Sequence, residues 1–241
     1  MRILEIQIRH NLQERASHAI DKIDRMLYEK YTDIRRLAND PVVSSRGATL
    51  TQVNERLMEY YGNDKKYASI SFYDINRVRL LDTTGKNIGM QNPMTDYWSK
   101  IAAGSDFAMD TAMAPTLRQV AFRFAHVVKD KGGTPFAVVT SRVLVEHLYN
   151  IAKQAGNIEV ANATFEVELV DNKGLILYSS QNKDKILRDT SSHWQLIQQM
   201  VSEGKGVSSM KHSHPGNDEQ EIFAFAHEPG YLNFQGNNWT L

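Results

Sequence analysis

From residue 12 onward, apolar side chains recur at steps of three and four: Leu12, Ala16, Ala19, Ile20, Ile23, Leu27, Tyr31, Ile34 and Leu37. That spacing draws one stripe along one side of a helix. Glu14, Arg15, Asp21, Lys22, Asp24, Arg25, Glu29 and Lys30 are assigned to the opposite, solvated side. Asn39-Asp40-Pro41 supplies a stop, because proline cannot continue the hydrogen-bond ladder. A helix of about forty residues at 1.5 Å per residue is longer than a small domain is wide. It is either a bundle or coiled-coil helix, or a stalk serving two subdomains.

A shorter helix follows over 51–60, with Val53, Leu57 and Tyr60 or Tyr61 on one side. The period then changes from about four to two. Residues 68–74 alternate, a turn at Ile75-Asn76-Arg77 intervenes, and 78–81 extends again before a turn at 82–86. A loop at 89–93 leads to a short helix over 97–102, then to strands over 107–112, 120–128 and 136–140. The last two are joined by Lys129-Asp130-Lys131-Gly132-Gly133 as an antiparallel hairpin. A helix is expected to start near Arg142 and to stop at Gly156. From Thr164 the order repeats: strands at 165–170 and 175–178 around Asp171-Asn172-Lys173-Gly174, a helix over 194–203, and strands at 207–211 and 222–227. The pattern predicts an α+β protein of two modules, each an antiparallel sheet with flanking helices. The expected boundaries are a helix over 1–40, a module over 41–141, a connecting helix over 142–157 and a second module over 158–241.

Composition narrows the function. The 241 residues carry 28 basic and 28 acidic side chains, a formal balance that argues against a nucleic-acid binder. There is no cysteine, which removes disulfides, thiolate metal sites and cysteine nucleophiles. No run of apolar residues is long enough to span a bilayer, and no signal peptide is visible. The chain reads as a soluble piece excised from a longer protein. There is no glycine-rich phosphate loop, His-Glu-x-x-His, Gly-x-Ser-x-Gly or dinucleotide fingerprint, so neither catalysis nor a cofactor is expected. His212 and His214 are two apart on an expected strand, but with only His227 as a further candidate they fall short of a metal ligand set. Asn162-Ala163-Thr164 fits a glycosylation sequon, a short pattern that is common by chance.

Several stretches, in their order, resemble the double Cache family of extracytoplasmic sensors, a tandem PAS-like fold. "SISFYDINRVRLLDTTGKNIG" is similar to the first hairpin of that family's membrane-distal module, and "DYWSKIAAG" to its pocket-capping helix. "VAFRFAHVVKDKGGTPFAVVTSRVLVEHL" resembles the final distal strands running into the connecting helix, and "HEPGYLNFQGNNWTL" the close of the proximal module. The resemblance covers essentially the whole chain. It implies a long N-terminal helix packed along both modules and a small-molecule pocket in the distal one. It also implies a transmembrane receptor, with a histidine kinase, chemoreceptor or cyclase output, that is homodimeric at full length and held in the membrane by helices outside this fragment. A dimerising interaction module without a ligand is the alternative.

The candidate pocket residues follow from both lines. Tyr97 and Trp98 match the family's aromatic pair and could wall a pocket. Amino-acid-binding members place an Arg just before that pair, where this chain has Met94, Thr95 and Asp96. They also place an Asp at the end of the last distal strand, where it has Arg142 or, with a shift of one residue, Ser141. Both partners of an α-amino acid are thus absent or reversed. Arg142, if it faces the pocket, would clamp an anion such as a small carboxylate. Arg123 sits between Phe122 and Phe124, so it points to the opposite face from both rings. Tyr73, Asp110 and His126 complete the expected ligand set, with Asp74 and Asp106 as further polar residues near strand ends.

Overall fold

A computed structural model describes residues 2–62, 67–114, 119–156, 165–200, 203–214 and 217–241. The chain divides into two compact units, one of Met1–Tyr28 with Glu146–Leu241 and one of Glu29–Val145. No helix among the described residues is long and apolar enough to cross a membrane.

The first helix, α1 (Arg2–Ala38), runs for 37 residues. Its apolar stripe is buried from Ala16 to Leu37, with Ile23 and Leu27 fully enclosed. Pairs one turn apart, Glu5 with Arg9 at 3.0 Å and Asp21 with Arg25 at 3.0 Å, support the exposed side. Each pair contributes about 0.3–0.5 kcal/mol. Two residues assigned to that side are in fact buried: Asp24 is 1% exposed and Lys30 8%. The spacing accounts for this correction. Asp24 lies four residues after Ile20 and three before Leu27, and Lys30 lies three after Leu27 and four before Ile34, so both stand on the stripe itself.

Within the unit Glu29–Val145, α2 (Leu50–Tyr61) is opened by a capping box. The Gln52 amide donates to Thr49 Oγ1 at 3.3 Å, and the Thr49 amide to Gln52 Oε1 at 2.9 Å. Such a cap is worth about 1 kcal/mol. A five-stranded antiparallel sheet follows. Its strands are β1 (Ser69–Asp74), β2 (Arg79–Asp82), β3 (Phe107–Ala114), β4 (Gln119–Lys129) and β5 (Pro135–Leu144), in spatial order β2-β1-β5-β4-β3. The short helix α3 (Asp96–Ala102) packs on β3 and β4. Alternation along the strands separates two faces. One holds Phe72, Phe122, Phe124, Val139 and Val143, all buried, and α2 and the end of α1 lie on this side. The other face lies under α3.

In the unit formed with Met1–Tyr28, α4 (Glu146–Ala155) precedes a hairpin of β6 (Glu168–Val170) and β7 (Ile176–Ser179). Helix α5 (Trp194–Met200) and a second hairpin, β8 (Lys205–His214) with β9 (Asn217–Ala226), complete it. The two hairpins are separate ladders, joined by the last residues of the chain. Thr240 exchanges backbone hydrogen bonds with Val170 at 2.8 and 2.9 Å, and Leu241 does so with Ala226 at 3.0 Å. The order β7-β6-(239–241)-β9-β8 therefore repeats β2-β1-β5-β4-β3, with the chain end in the place of β5. The side chains of His212 and His214, and the sequon at Asn162-Ala163-Thr164, lie outside the described residues.

The expected start of the connecting helix moves. The helix anticipated from Arg142 begins at Glu146, because β5 continues to Leu144. Arg142 pairs with both Ser69 and Arg123, so its backbone is held by strands on either side. Those ladder bonds override the local helical spacing of Leu144 and Leu148.

Candidate functional site

Register decides which side chains meet beneath α3. Ser69, Ser71 and Tyr73 on β1 lie opposite Arg142, Thr140 and Val138 on β5. Those three lie opposite Arg123, Ala125 and Val127 on β4, and Arg123 and Ala125 opposite Asp110 and Ala108 on β3. Paired and alternate residues share a face. Six of the seven candidates therefore lie together: Tyr73, Arg123, Arg142 and Asp110 on the sheet face under α3, and Tyr97 and Trp98 on the helix. His126 does not. It pairs with Phe107 and Val139, on the opposite face. There its Nδ1 lies 2.9 Å from the Val127 carbonyl and burial lowers its pKa.

Tyr97 and Trp98 are core residues, each 2% exposed, packed with Tyr73, Ile101, Ala108, Ala125, Val127 and Val138. Tyr73 meets the Trp98 ring edge-on at 5.5 Å. Burying an aromatic side chain of this kind contributes about 1.5–3 kcal/mol. Arg123 and Asp110 form a two-pronged ion pair, both contacts at 2.6 Å. Asp110 also accepts the Tyr97 backbone N–H at 3.3 Å, and the Arg123 guanidinium lies over the Tyr97 ring at 5.2 Å. The Thr95 side chain makes no cap for α3; Asp110, reaching from β3, serves its first turn instead. Asp110 and Arg123 thus clamp α3 to the sheet.

The polar chemistry lies beside this clamp and includes residues that the sequence reading missed. A β-bulge between Phe72 and Tyr73 sets Arg79 opposite Tyr73 and Asp82 opposite Ser71. A regular ladder would have put Leu80 across from Tyr73; the extra residue turns Arg79 onto the α3 side. Arg79 donates from Nε to the Tyr73 hydroxyl at 2.8 Å and from Nη1 to the Lys86 carbonyl at 3.0 Å. Asn92 Nδ2 donates to the Tyr97 hydroxyl at 2.7 Å. Asp82, with its side chain fully buried, accepts from Ser71 Oγ at 2.7 Å and from the Thr84 amide at 2.9 Å. It lies 3.6 Å from both Arg79 and Arg142, and Arg142 donates to Ser69 Oγ at 2.8 Å. Two guanidinium groups thus share one carboxylate. The remaining polar candidates serve turns or the surface: Asp74 accepts the Val78 amide at 2.8 Å, and Asp106 pairs with Lys129 at 2.7 Å.

A recess of about 120 Å³ opens against this network, lined by Tyr73, Arg79, Asn87, Met90, Gln91, Asn92 and Pro93. Drug-sized ligands occupy roughly 300–1,000 Å³, so the recess suits a much smaller molecule. A second cleft, of about 230 Å³, lies on the other face between Val53, Phe72, Phe136 and neighbouring residues; its one arginine, Arg46, is paired with Asp130 at 2.7 Å.

No family model matches the sequence, and no curated protein sequence matches it. Solved structures do share the fold. A methyl-accepting chemotaxis protein X superposes with a TM-score of 0.73 at 12% identity, over 100% of this chain and 97% of that one. The ligand-binding domain of the Pseudomonas fluorescens chemoreceptor CtaA, in complex with L-serine, gives 0.69 at 15% identity, over 98% and 96%. An extracellular ligand binding receptor from Desulfohalobium retbaense gives 0.66 at 12% identity; the match covers 92% of this chain but only 38% of that one. The chain has the fold of extracellular sensor domains, as the double Cache resemblance implied.

Proposed function

We propose, from the sensor fold now established, that this chain is the extracytoplasmic ligand-sensing domain of a transmembrane signal-transduction receptor. The unit Glu29–Val145 is the ligand-binding module, and the ligand is a small carboxylate held at the recess beside Tyr73, Arg79 and Asn92. One observation carries the reading: a recess of about 120 Å³ is walled by Arg79 where two arginines share a single aspartate. A guanidinium offers paired N–H donors and a fixed positive charge, which match a carboxylate. The fold neighbours include a domain in complex with L-serine. Here the two charged partners of an α-amino acid are missing or reversed, so a simple acid fits better than an amino acid. The full-length receptor, in this reading, is a homodimer with a histidine kinase, chemoreceptor or cyclase output, and the ectodomain itself is a binding module without catalysis. Signalling requires the ligand to prefer one arrangement of α3 and the 86–93 loop over another.

The test is a thermal-shift series with acetate, propionate, lactate and pyruvate, each paired with its amide, and with L-serine. The acids should raise Tm while the amides leave it unchanged, and Arg79→Gln should abolish the response while the protein stays folded. Equal responses to acids and amides, or a full response in Arg79→Gln, would refute the assignment.

A further inference from the structure

Asp24, in α1, and Glu228, just beyond β9, belong to the same compact unit and are 1% and 2% exposed. Glu228 Oε2 accepts the backbone N–H groups of Asn237 at 2.6 Å and Trp239 at 3.1 Å. Asp24 Oδ2 accepts that of Gly230 at 3.1 Å. The other oxygen of each, Asp24 Oδ1 and Glu228 Oε1, is shielded from solvent and receives no N–H or O–H. Among the described residues no cationic side chain pairs with either carboxyl. Arg25, next to Asp24, is committed to Asp21 at 3.0 Å and to the face of the Tyr231 ring at 5.0 Å.

Two adjacent buried carboxylates without a cation cannot both stay ionised, because each disfavours the charge of the other and burial disfavours both. A single proton resolves the conflict and also accounts for both orphan oxygens. On Asp24 Oδ1 it makes that atom a donor and gives Glu228 Oε1 the hydrogen bond it lacks. Glu228 is the ionised member, since two backbone N–H groups already stabilise its charge, whereas Asp24 has one. We propose that this shared proton is a pH-operated latch between α1 and the 228–239 segment, closed most tightly at low pH and released as the pH rises. None of its residues belongs to the ligand site proposed above.

The electrostatics agree with the geometry. Burial first, then the hydrogen bond to Glu228 and its charge, push the Asp24 carboxyl up to about 8. Asp21 adds to the rise and the Gly230 N–H opposes it. The neighbouring titratable groups along the two segments are Asp21, Arg25 and Tyr28 on α1, and His227 and Tyr231 beyond β9. Tyr28 meets Tyr231 edge-on at 5.3 Å, and His227 Nδ1 lies 3.0 Å from Thr240 Oγ1. The folded protein holds the Asp24 proton more tightly than the unfolded chain, whose ordinary value is 3.8. The latch therefore contributes fully below pH ~4, weakens as the pH climbs toward ~8 and loses nothing further above it.

The experiment follows the Asp24 side-chain carboxyl carbon by NMR in the 241-residue chain, together with amide exchange and Tm between pH 5 and 9, for the parent, Asp24→Asn and Glu228→Gln. Asn mimics the protonated acid and should fix the latch closed. The proposal expects an Asp24 midpoint near 8 in the parent, displaced downward in Glu228→Gln. Protection of the Gly230, Asn237 and Trp239 amides should fall by up to about tenfold per pH unit below the midpoint in the parent, and stay level in Asp24→Asn. A midpoint below about 6, a midpoint unmoved by Glu228→Gln, or the same pH dependence in parent and Asp24→Asn would overturn it. So would K+, Mg2+ or Ca2+ raising the Tm of the parent and not of Asp24→Asn at pH 8, because a cation would then bridge the pair.

Discussion

Arg123 on β4 and Arg142 on β5 stand directly opposite one another, and each has its own aspartate: Arg123 grips Asp110 with two contacts at 2.6 Å, and Arg142 lies 3.6 Å from Asp82. Like charges facing each other across a ladder are destabilising on their own. The two aspartates remove that repulsion and also divide the labour. One pair fastens α3; the aspartate of the other also meets Arg79, which walls the recess.

The clamp should be costly to break at one end. Asp110→Asn leaves Arg123 in a largely buried place without its counter-ion and is expected to lower stability by about 3 kcal/mol, whereas the Asp110→Leu, Arg123→Met double replacement should cost much less. Urea denaturation of both proteins measures the difference. Equal losses would show that the pair is not coupled.

Tyr97 and Trp98 need separate treatment, because each fills the core as well as bordering the polar network. Trp98→Ala should destabilise by about 3–5 kcal/mol, so a lost ligand response in that variant reports unfolding as much as binding. Tyr97→Phe keeps the ring and removes only the acceptor for Asn92, at about 1 kcal/mol. It should weaken the carboxylate-dependent Tm shift without abolishing it, as read by thermal shift alongside Asn92→Ala.

In the other unit, the turn after β6 depends on Gly174. Its φ is +81°, and a Cβ there would come within 2.4 Å of the Trp194 ring. Gly174→Ala is expected to cost at least about 1–2 kcal/mol from the left-handed backbone alone, with further loss as Trp194 is displaced. A changed Trp194 emission with a lowered denaturation midpoint would show both effects.

The chain end can be tested by one backbone atom. Thr240→Pro removes the N–H that bonds the Val170 carbonyl at 2.9 Å, in a residue 1% exposed. The orphaned carbonyl should cost about 1–3 kcal/mol, and amide exchange should rise in both β6 and β9. Loss confined to one hairpin would mean that residues 239–241 do not hold the two together.

His126 gives a pH dependence of the opposite sign to Asp24. Burial holds its folded pKa below the ordinary 6.5, so its contribution is present above that value and is lost as the pH falls below it. Relative to His126→Leu, the parent should lose stability on acidification below about 6.5. Denaturation midpoints of the two proteins at pH 7.5 and 5 provide the comparison.

The sequence by itself determined the elements whose signal is local: the stripe from Ala16 to Leu37, the turn at 171–174 and the doubled order of strands and helices. These rest on spacing and turn chemistry, which a single chain displays. The grouping of Tyr73, Arg123, Arg142 and Asp110 with α3 was foreseen only as a set of names. Their common face depends on which residues stand opposite which, and pairing between distant strands leaves no local mark. The bulge that turns Arg79 inward, the placing of His126 on the far face, the extension of β5 through Arg142 and the meeting of Asp24 with Glu228 were decided by tertiary structure alone. In each case a long-range ladder or a burial partner supplied more free energy than the local preference it overrode.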